Sequence, residues 1–245
     1  MIIRDVSPGV HAIVHGHTNC FVIEDDDGIT LVDAAYSSTW RQVEECLAKM
    51  NRSPADIGGL LLTHGHFDHL GFANLIQRQY TVPVWAHPAD SAICKHPYSY
   101  QPGRPRLLYP VAYPRSVPIL ASMVVAGALL VPGVVPDHAL VDGSVLPLPG
   151  HPQVISTPGH TDGACVFWLP DREALITGDS LVTLDPYSGR RGPRMVGRAG
   201  TKDARRAIES AQTLASIDAR HVLPGHGEMW NYGVAAAVVA ASGAL

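Results

Sequence analysis

The sequence has few lysines, no paired cysteines, no excess of positive charge and no uninterrupted apolar run of membrane length. Each absence excludes something. Arginines outnumber lysines 15 to 3 and the formal net charge is −4, so nothing supports a nucleic-acid partner or an anionic membrane surface. The arginine bias reads as genomic base composition. Cys20, Cys46, Cys94 and Cys165 are scattered with no Cys-x-x-Cys spacing, and four free thiols of a cytoplasmic chain are expected. Met1 to Pro8 offers no apolar stretch long enough for a signal peptide. Ser116 to Pro136 is uncharged, but Pro118, Gly127, Pro132 and Pro136 interrupt it. Its continuous part, Ile119 to Val131, is shorter than the ~20 residues that span a bilayer, and a buried helix is expected there. No Gly-x-Ser-x-Gly setting supplies a serine nucleophile.

What is present reads as an ordinary globular chain, 46% hydrophobic and 16% charged over 245 residues, enough for a sizeable core. Short strands are expected at Val10–Val14, Cys20–Glu24 and Ile29–Val32, the last two joined by an Asp25-Asp26-Asp27-Gly28 turn. Trp40, Val43, Leu47 and Met50 follow helical spacing up to Met50. A strand at Gly59–Leu62, a helix from Leu70 to Tyr80 and a strand at 82–86 come next. Residues 96–118, with six prolines and four tyrosines, suggest a long ordered loop. Strands resume at 145–146, 154–157, 165–169 and 174–177. A helix over 201–217, a strand at 221–223 and a helix over 232–241 complete the pattern. This alternation argues α/β layers. With no low-complexity linker, residues 1–245 should pack as a single domain of two βα halves, roughly 1–118 and 119–245.

The densest chemistry is Thr63-His64-Gly65-His66-Phe67-Asp68-His69, between an apolar strand and a helix. Residues two apart in an extended loop point the same way, so His64, His66 and Asp68 can converge, while His69 turns towards a neighbouring ion. By chance such a pattern would arise in roughly two chains per thousand. Imidazole with carboxylate suits Zn²⁺, with Fe or Mn as substitutes. Three later segments have the same form, a strand ending in a sharp turn beside a metal-capable residue. They are Thr157-Pro158-Gly159-His160-Thr161, Gly178-Asp179-Ser180 and Pro224-Gly225-His226-Gly227.

In this order the four segments resemble the metallo-β-lactamase superfamily, with Asp33 at that family's early Asp. The resemblance runs from about Val10 to His226. It implies an αββα sandwich, of α/β class, with the metal site at one edge of the β-sandwich. It also implies that His64, His66 and His160 hold one metal, that Asp68, His69 and His226 hold a second, and that Asp179 bridges both. Asp68 and Asp179 are then the catalytic carboxylates, and Asp33 orients the histidine loop through hydrogen bonds. The remaining histidines match no ligand position, although His17 could line the site mouth.

Departures from known subfamilies narrow the activity. Leu70-Gly71-Phe72 stands where glyoxalase II carries two glycines, and 19 residues follow His226, too few for that family's glutathione-gripping helices. Val182 replaces the tyrosine of acyl-homoserine lactonases, and Asp179 argues against true β-lactamases. The expected activity is that of a bacterial dinuclear zinc hydrolase. A metal-bridging hydroxide would cleave an ester, lactone or thioester bond of a small molecule. A persulfide-dioxygenase-like mononuclear iron enzyme is the alternative, and a non-catalytic metal-binding module a further one. Tyr98 and Tyr100 in the 96–118 segment, with Arg191 and Arg194 in the arginine-rich stretch, are the candidate substrate-binding residues. Tyr109, Tyr113 and Arg198 lie in or beside the same stretches. No nucleic-acid or membrane partner is expected, and a homodimer is left open.

Overall fold

The computed structural model describes residues 1–100, 102–104 and 109–243. A first sheet takes its strands in chain order. They are β1 (Ile2–Ser7), β2 (Val10–His15), β3 (Thr18–Asp25), β4 (Gly28–Val32), β5 (Ile57–Leu61), β6 (Val84–Ala86) and β7 (His138–Ala139). The first four pair antiparallel, and β4 to β7 pair parallel. The parallel joins carry the helices α1 (Trp40–Lys49), α2 (Phe67–Leu70), α3 (Ala73–Tyr80), α4 (Ser91–Lys95), α5 (Tyr109–Ala112) and α6 (Val117–Val125). The second sheet contains β8 (Gln153–Ser156), β9 (Cys165–Leu169), β10 (Ala174–Gly178) and β13 (His221–Pro224), in the order β13-β10-β9-β8. A ribbon of β11 (Val182–Leu184) and β12 (Arg191–Arg194) stands apart, and α7 (Ala204–Thr213) and α8 (Val234–Ser242) complete the chain.

Period-two alternation in strands buried on both faces explains the layering. In β3, Phe21 and Ile23 face the second sheet, where they meet Phe167, Leu169, Ile176 and Leu223. Cys20 and Val22 face the other way, towards Trp40, Val43 and Leu47 of α1, Ile76 of α3 and Met123 of α6. In the second sheet Val166, Leu175 and Val222 turn outward onto Leu214, Val234, Ala237 and Ala241. The result is the helix–sheet–sheet–helix sandwich expected from the sequence.

Several boundaries differ from the sequence reading, each for a physical reason. The helix expected from Leu70 to Tyr80 breaks at Gly71-Phe72, whose N–H groups donate to the carbonyls of Ala35 and Ala34. α6 ends early because Gly127, at φ +107, reverses the chain. Ile119 and Met123 are buried, but Val125 is 89% and Leu130 85% exposed. The 119–131 segment is therefore a half-exposed helix and turn, not a buried helix. α6 packs in the first helical layer and β7 extends the first sheet, so that layer runs past residue 118 to Ala139. The 96–118 segment carries α5 and a 3₁₀ turn at Pro114–Ser116, while residues 101 and 105–108 lie outside the described residues. Strands β1, β7, β11 and β12 went unread, and Val145 forms only a bridge to Gln153. The Arg-Gly-Pro-Arg of β12 has little strand propensity and is held by pairing with β11. All four cysteines are free and buried. Among the described residues no helix is long and apolar enough to cross a membrane.

A methyl group on Gly71 would overlap the backbone of Tyr36 and the carbonyl of Ala35. Gly71→Ala should therefore destabilise the fold by about 2 kcal/mol, read as a lower urea midpoint. An unchanged midpoint would show that this close approach is not under constraint.

Candidate metal centre

Leu60, Leu61 and Leu62 bury the strand end so completely that the chain after it must turn at the sheet edge. The chain bends at Thr63 and is extended at His66, and α2 then presents Asp68 and His69. The loops after β8, β10 and β13 bring His160, Asp179 and His226 to the same edge. All seven side chains are buried, an unusual placement for imidazoles and carboxylates unless they have partners.

The side chains converge as two groups joined by a third. Ligand atoms of His64, His66 and His160 lie within 4.8 Å of one another, and so do those of Asp68, His69 and His226. In the joining group, ligand atoms of His64, His69 and Asp179 also lie within 4.8 Å of one another. His66 Nδ1 and His160 Nε2 approach to 2.9 Å, and His226 Nε2 lies 3.3 Å from Asp68 Oδ2. Asp179 sits between the groups. Its Oδ2 is 3.4 Å from both His160 Nε2 and His226 Nε2, and its Oδ1 is 3.5 Å from His69 Nε2. His64 Nε2, His69 Nε2, His226 Nε2 and Asp179 Oδ1 are buried with no hydrogen-bond partner. Orphaned buried atoms of this kind, aimed at one another, are the arrangement that divalent cations satisfy. The donor set of imidazole nitrogen and carboxylate oxygen fits zinc or iron.

The other ring nitrogens of His64, His69, His160 and His226 are occupied, and this fixes which nitrogen of each faces inward. Asp33, at φ 60, accepts from the Thr63 N–H and hydroxyl at 2.8 Å each. Its Oδ2 also lies 2.8 Å from His69 Nδ1. Thr63 Oγ1 is 3.0 Å from His64 Nδ1. With its hydroxyl proton given to Asp33, Thr63 accepts from His64, so one carboxylate orients two histidines. The hydroxyl of Thr201 plays this part for His160 at 3.2 Å while donating to the Val196 carbonyl. The His17 carbonyl does so for His226 at 2.8 Å.

Electrostatics point the same way. Burial, reinforced by neighbouring imidazoles, holds His64 and His66 well below the ordinary histidine value, and burial lowers His160 to about 4. Burial would also lower His69 and His226, but the surrounding carboxylates win. Asp33, Asp179 and Asp68 raise His69 well above its usual value, and Asp179 and Asp68 raise His226 to about 10. Burial penalises ionised Asp68 and Asp179, yet these imidazoles hold both below the usual carboxylate range. The cluster thus draws positive charge to the spot where ligand atoms converge.

Sequence reasoning missed the braces. Asp90, 1% exposed, accepts from Gly65 N–H at 2.9 Å, Thr161 hydroxyl at 2.7 Å and Gly163 N–H at 2.7 Å. It ties the His64–His69 loop to the His160 loop. Asn19 donates to the carbonyls of Pro224 and Gly227 at 2.8 and 2.9 Å, bracing the His226 loop. Both partnerships join distant chain segments, so no local spacing announces them. Of the substrate-binding candidates, Tyr100 lies against His66, ring centroids 3.9 Å apart. With His66 and His160 it lines a cavity of ≈ 300 Å³. Tyr98 instead stacks on Phe67, and its hydroxyl donates to the Ala128 carbonyl and accepts from Val131 N–H. Arg191 and Arg194 do not line the His66–His160 cavity, and they line different cavities. Arg191 shares one with His17 and Glu228, and Arg194 another with Tyr109 and Tyr113. The alternation of β12 separates the two side chains. Asp90→Ala should strand three buried donors and cost about 3 kcal/mol while weakening metal retention. Unchanged stability and metal retention would remove Asp90 from the scaffold.

Comparison with known proteins agrees with this geometry. The sequence profile of the metallo-beta-lactamase superfamily matches residues 13–226. The probable metallo-hydrolase YflN of Bacillus subtilis is 26% identical over 242 residues, covering 91% of this chain and 85% of that protein. Among solved structures, the metallo-beta-lactamase family protein TTHA1429 of Thermus thermophilus superposes with a TM-score of 0.67 at 23% identity. The match covers 95% of this chain and 77% of that one. TTHA1623, solved in a di-iron-bound form, gives 0.62 at 24% identity, covering 89% and 92%. A profile spanning most of the chain, over a matching sandwich with the histidine and aspartate loops at one edge, shows that the chain belongs to the metallo-β-lactamase superfamily.

Proposed function

We propose that this metal-dependent hydrolase of the metallo-β-lactamase superfamily works with two divalent ions, zinc first among them, on a small-molecule ester, lactone or thioester. The observation that carries the reading is the pair of buried ligand triads, His64–His66–His160 and Asp68–His69–His226, with Asp179 in reach of both and clustered with His64 and His69 where the triads meet. In that assignment His64, His66 and His160 hold one ion, Asp68, His69 and His226 hold the other, and Asp179 bridges. When bound, such a pair supplies a water activated towards neutral pH and a Lewis acid for the carbonyl oxygen.

The chain's own residues do the rest. Asp33 and Thr63 hold His64 and His69 in the tautomers that leave Nε2 facing inward. Asp68 and Asp179 are held below the usual carboxylate range by the histidines beside them in the metal-free cluster, and their negative charge would offset that of the ions. Tyr100 gives the mouth an apolar wall with a polar tip, and the ≈ 300 Å³ cavity beside His66 and His160 admits the acyl group. Iron is the second candidate, because a structural relative with this fold was solved with two iron ions. A single iron held by two histidines and one aspartate would satisfy one group of ligand atoms and leave the other orphaned.

A hydrolysis screen over lactones, thioesters and aryl esters, with metal-stripped protein as control, tests the reading. At least one class should be cleaved only by the loaded protein. Asp179→Asn keeps the shape but removes the bridging charge, so it should cut activity and metal occupancy at least about tenfold; Asp68→Ala should empty mainly the second site. Full hydrolysis by both variants would sink the assignment.

A further inference from the structure

A second cavity, ≈ 610 Å³, lies between the β11–β12 ribbon, α5 and the first turn of α7, and five arginines line it: Arg104, Arg190, Arg194, Arg198 and Arg205. Two carboxylates share the lining, and both are engaged. Glu209 pairs with Arg205 at 2.9 Å. Asp185 accepts from the N–H groups of Tyr187 and Gly197 and from the Ser188 hydroxyl. The Arg194 guanidinium donates only to the main-chain carbonyls of Gly192 and Arg191. Arg104, Arg190 and Arg198 have no carboxylate partner among the described residues. Among the described residues, then, five guanidinium groups share one lining with two carboxylates, and only Arg205 makes an ion pair there, while Asp185 favours the charge of Arg194 without pairing with it. A single carboxylate would answer one guanidinium, whereas phosphate oxygens can accept from several forks at once.

Tyr109 and Tyr113 also line the cavity, and a row of aromatic rings leads from them towards the metal centre. Tyr109 and Tyr113 stand 5.4 Å apart, and Tyr109 lies 6.0 Å from the Tyr187 ring. The Tyr187 hydroxyl is 3.4 Å from that of Tyr100, whose ring rests on His66. Thr201 lines the same cavity and holds His160 through its hydroxyl. An anion seated among the arginines is therefore joined to the ligand histidines by a continuous row of side chains.

We infer that this cavity binds the phosphorylated, nucleotide-like handle of the substrate, with the acyl group lying along the tyrosines to the metal centre. The inference rests on the hydrolase reading and names its substrate class, an acyl ester or thioester carried on a nucleotide. Water supplies the oxygen that the acyl carbon gains and the proton that the departing sulfur or oxygen takes. The phosphates neutralise the arginines, and the tyrosine pair offers a face to the heterocycle.

Isothermal titration calorimetry of the metal-loaded protein with ADP, and separately with pyrophosphate, tests this. ADP should bind more tightly than pyrophosphate. The double variant Arg104→Ala/Arg198→Ala should weaken ADP at least about tenfold, the loss expected for one charged hydrogen bond, with metal content unchanged. No ADP binding, or binding that the double variant leaves as tight as before, would overturn the inference, the latter because the phosphates would then sit on the metals. Calorimetry needs no turnover, so this failure is distinct from a failure of the hydrolase reading, which would appear as inactivity in the ester screen.

Discussion

Asp33, Asp68 and Asp179 bury three carboxylates at one sheet edge, and removing such charges from water costs several kcal/mol each unless they are answered. Much of the architecture around them is the answer. Asp33 is satisfied within the protein by Thr63 and His69. Asp179 Oδ1 has no hydrogen-bond partner, and the imidazoles beside Asp68 and Asp179 are drawn towards the protonated state in compensation. Divalent cations meet the same demand while also using the lone pairs of His64, His69 and His226 that have no other partner. Charge balance, rather than histidine count, is the strongest physical argument for metal at this site.

The sandwich makes that concentration of charge tolerable. Each ligand loop leaves a strand packed on both faces, so its root is rigid, and long-range hydrogen bonds then lock the loops to one another. Asp90 joins the first two, and Asn19 fastens the last to the β2–β3 hairpin. A loop released from these braces would cost little locally but would move a ligand atom, and metal sites tolerate little displacement.

Legibility in the sequence followed the range of the interactions. His64, His66, Asp68 and His69 could be read from spacing because a strand-to-helix loop places them locally. His160, Asp179 and His226 were legible only through turn chemistry and resemblance, since each depends on a strand meeting the others in space. Asp90 and Asn19 carried no signal, because their partners lie on distant segments. The apolar run after Ile119 misled because hydrophobicity is not burial. Gly127 turns the chain, and Val125 and Leu130 are left in solvent. Arg191 and Arg194 were read together as substrate-binding candidates, but strand alternation sends them to different cavities.

The account stands or falls on the number of ions. Protein purified without chelator and assayed by elemental mass spectrometry should hold about two zinc-like ions per chain. After stripping, it should take up about two equivalents again. A single tightly bound iron, with no second ion taken up when zinc is added, would contradict the account.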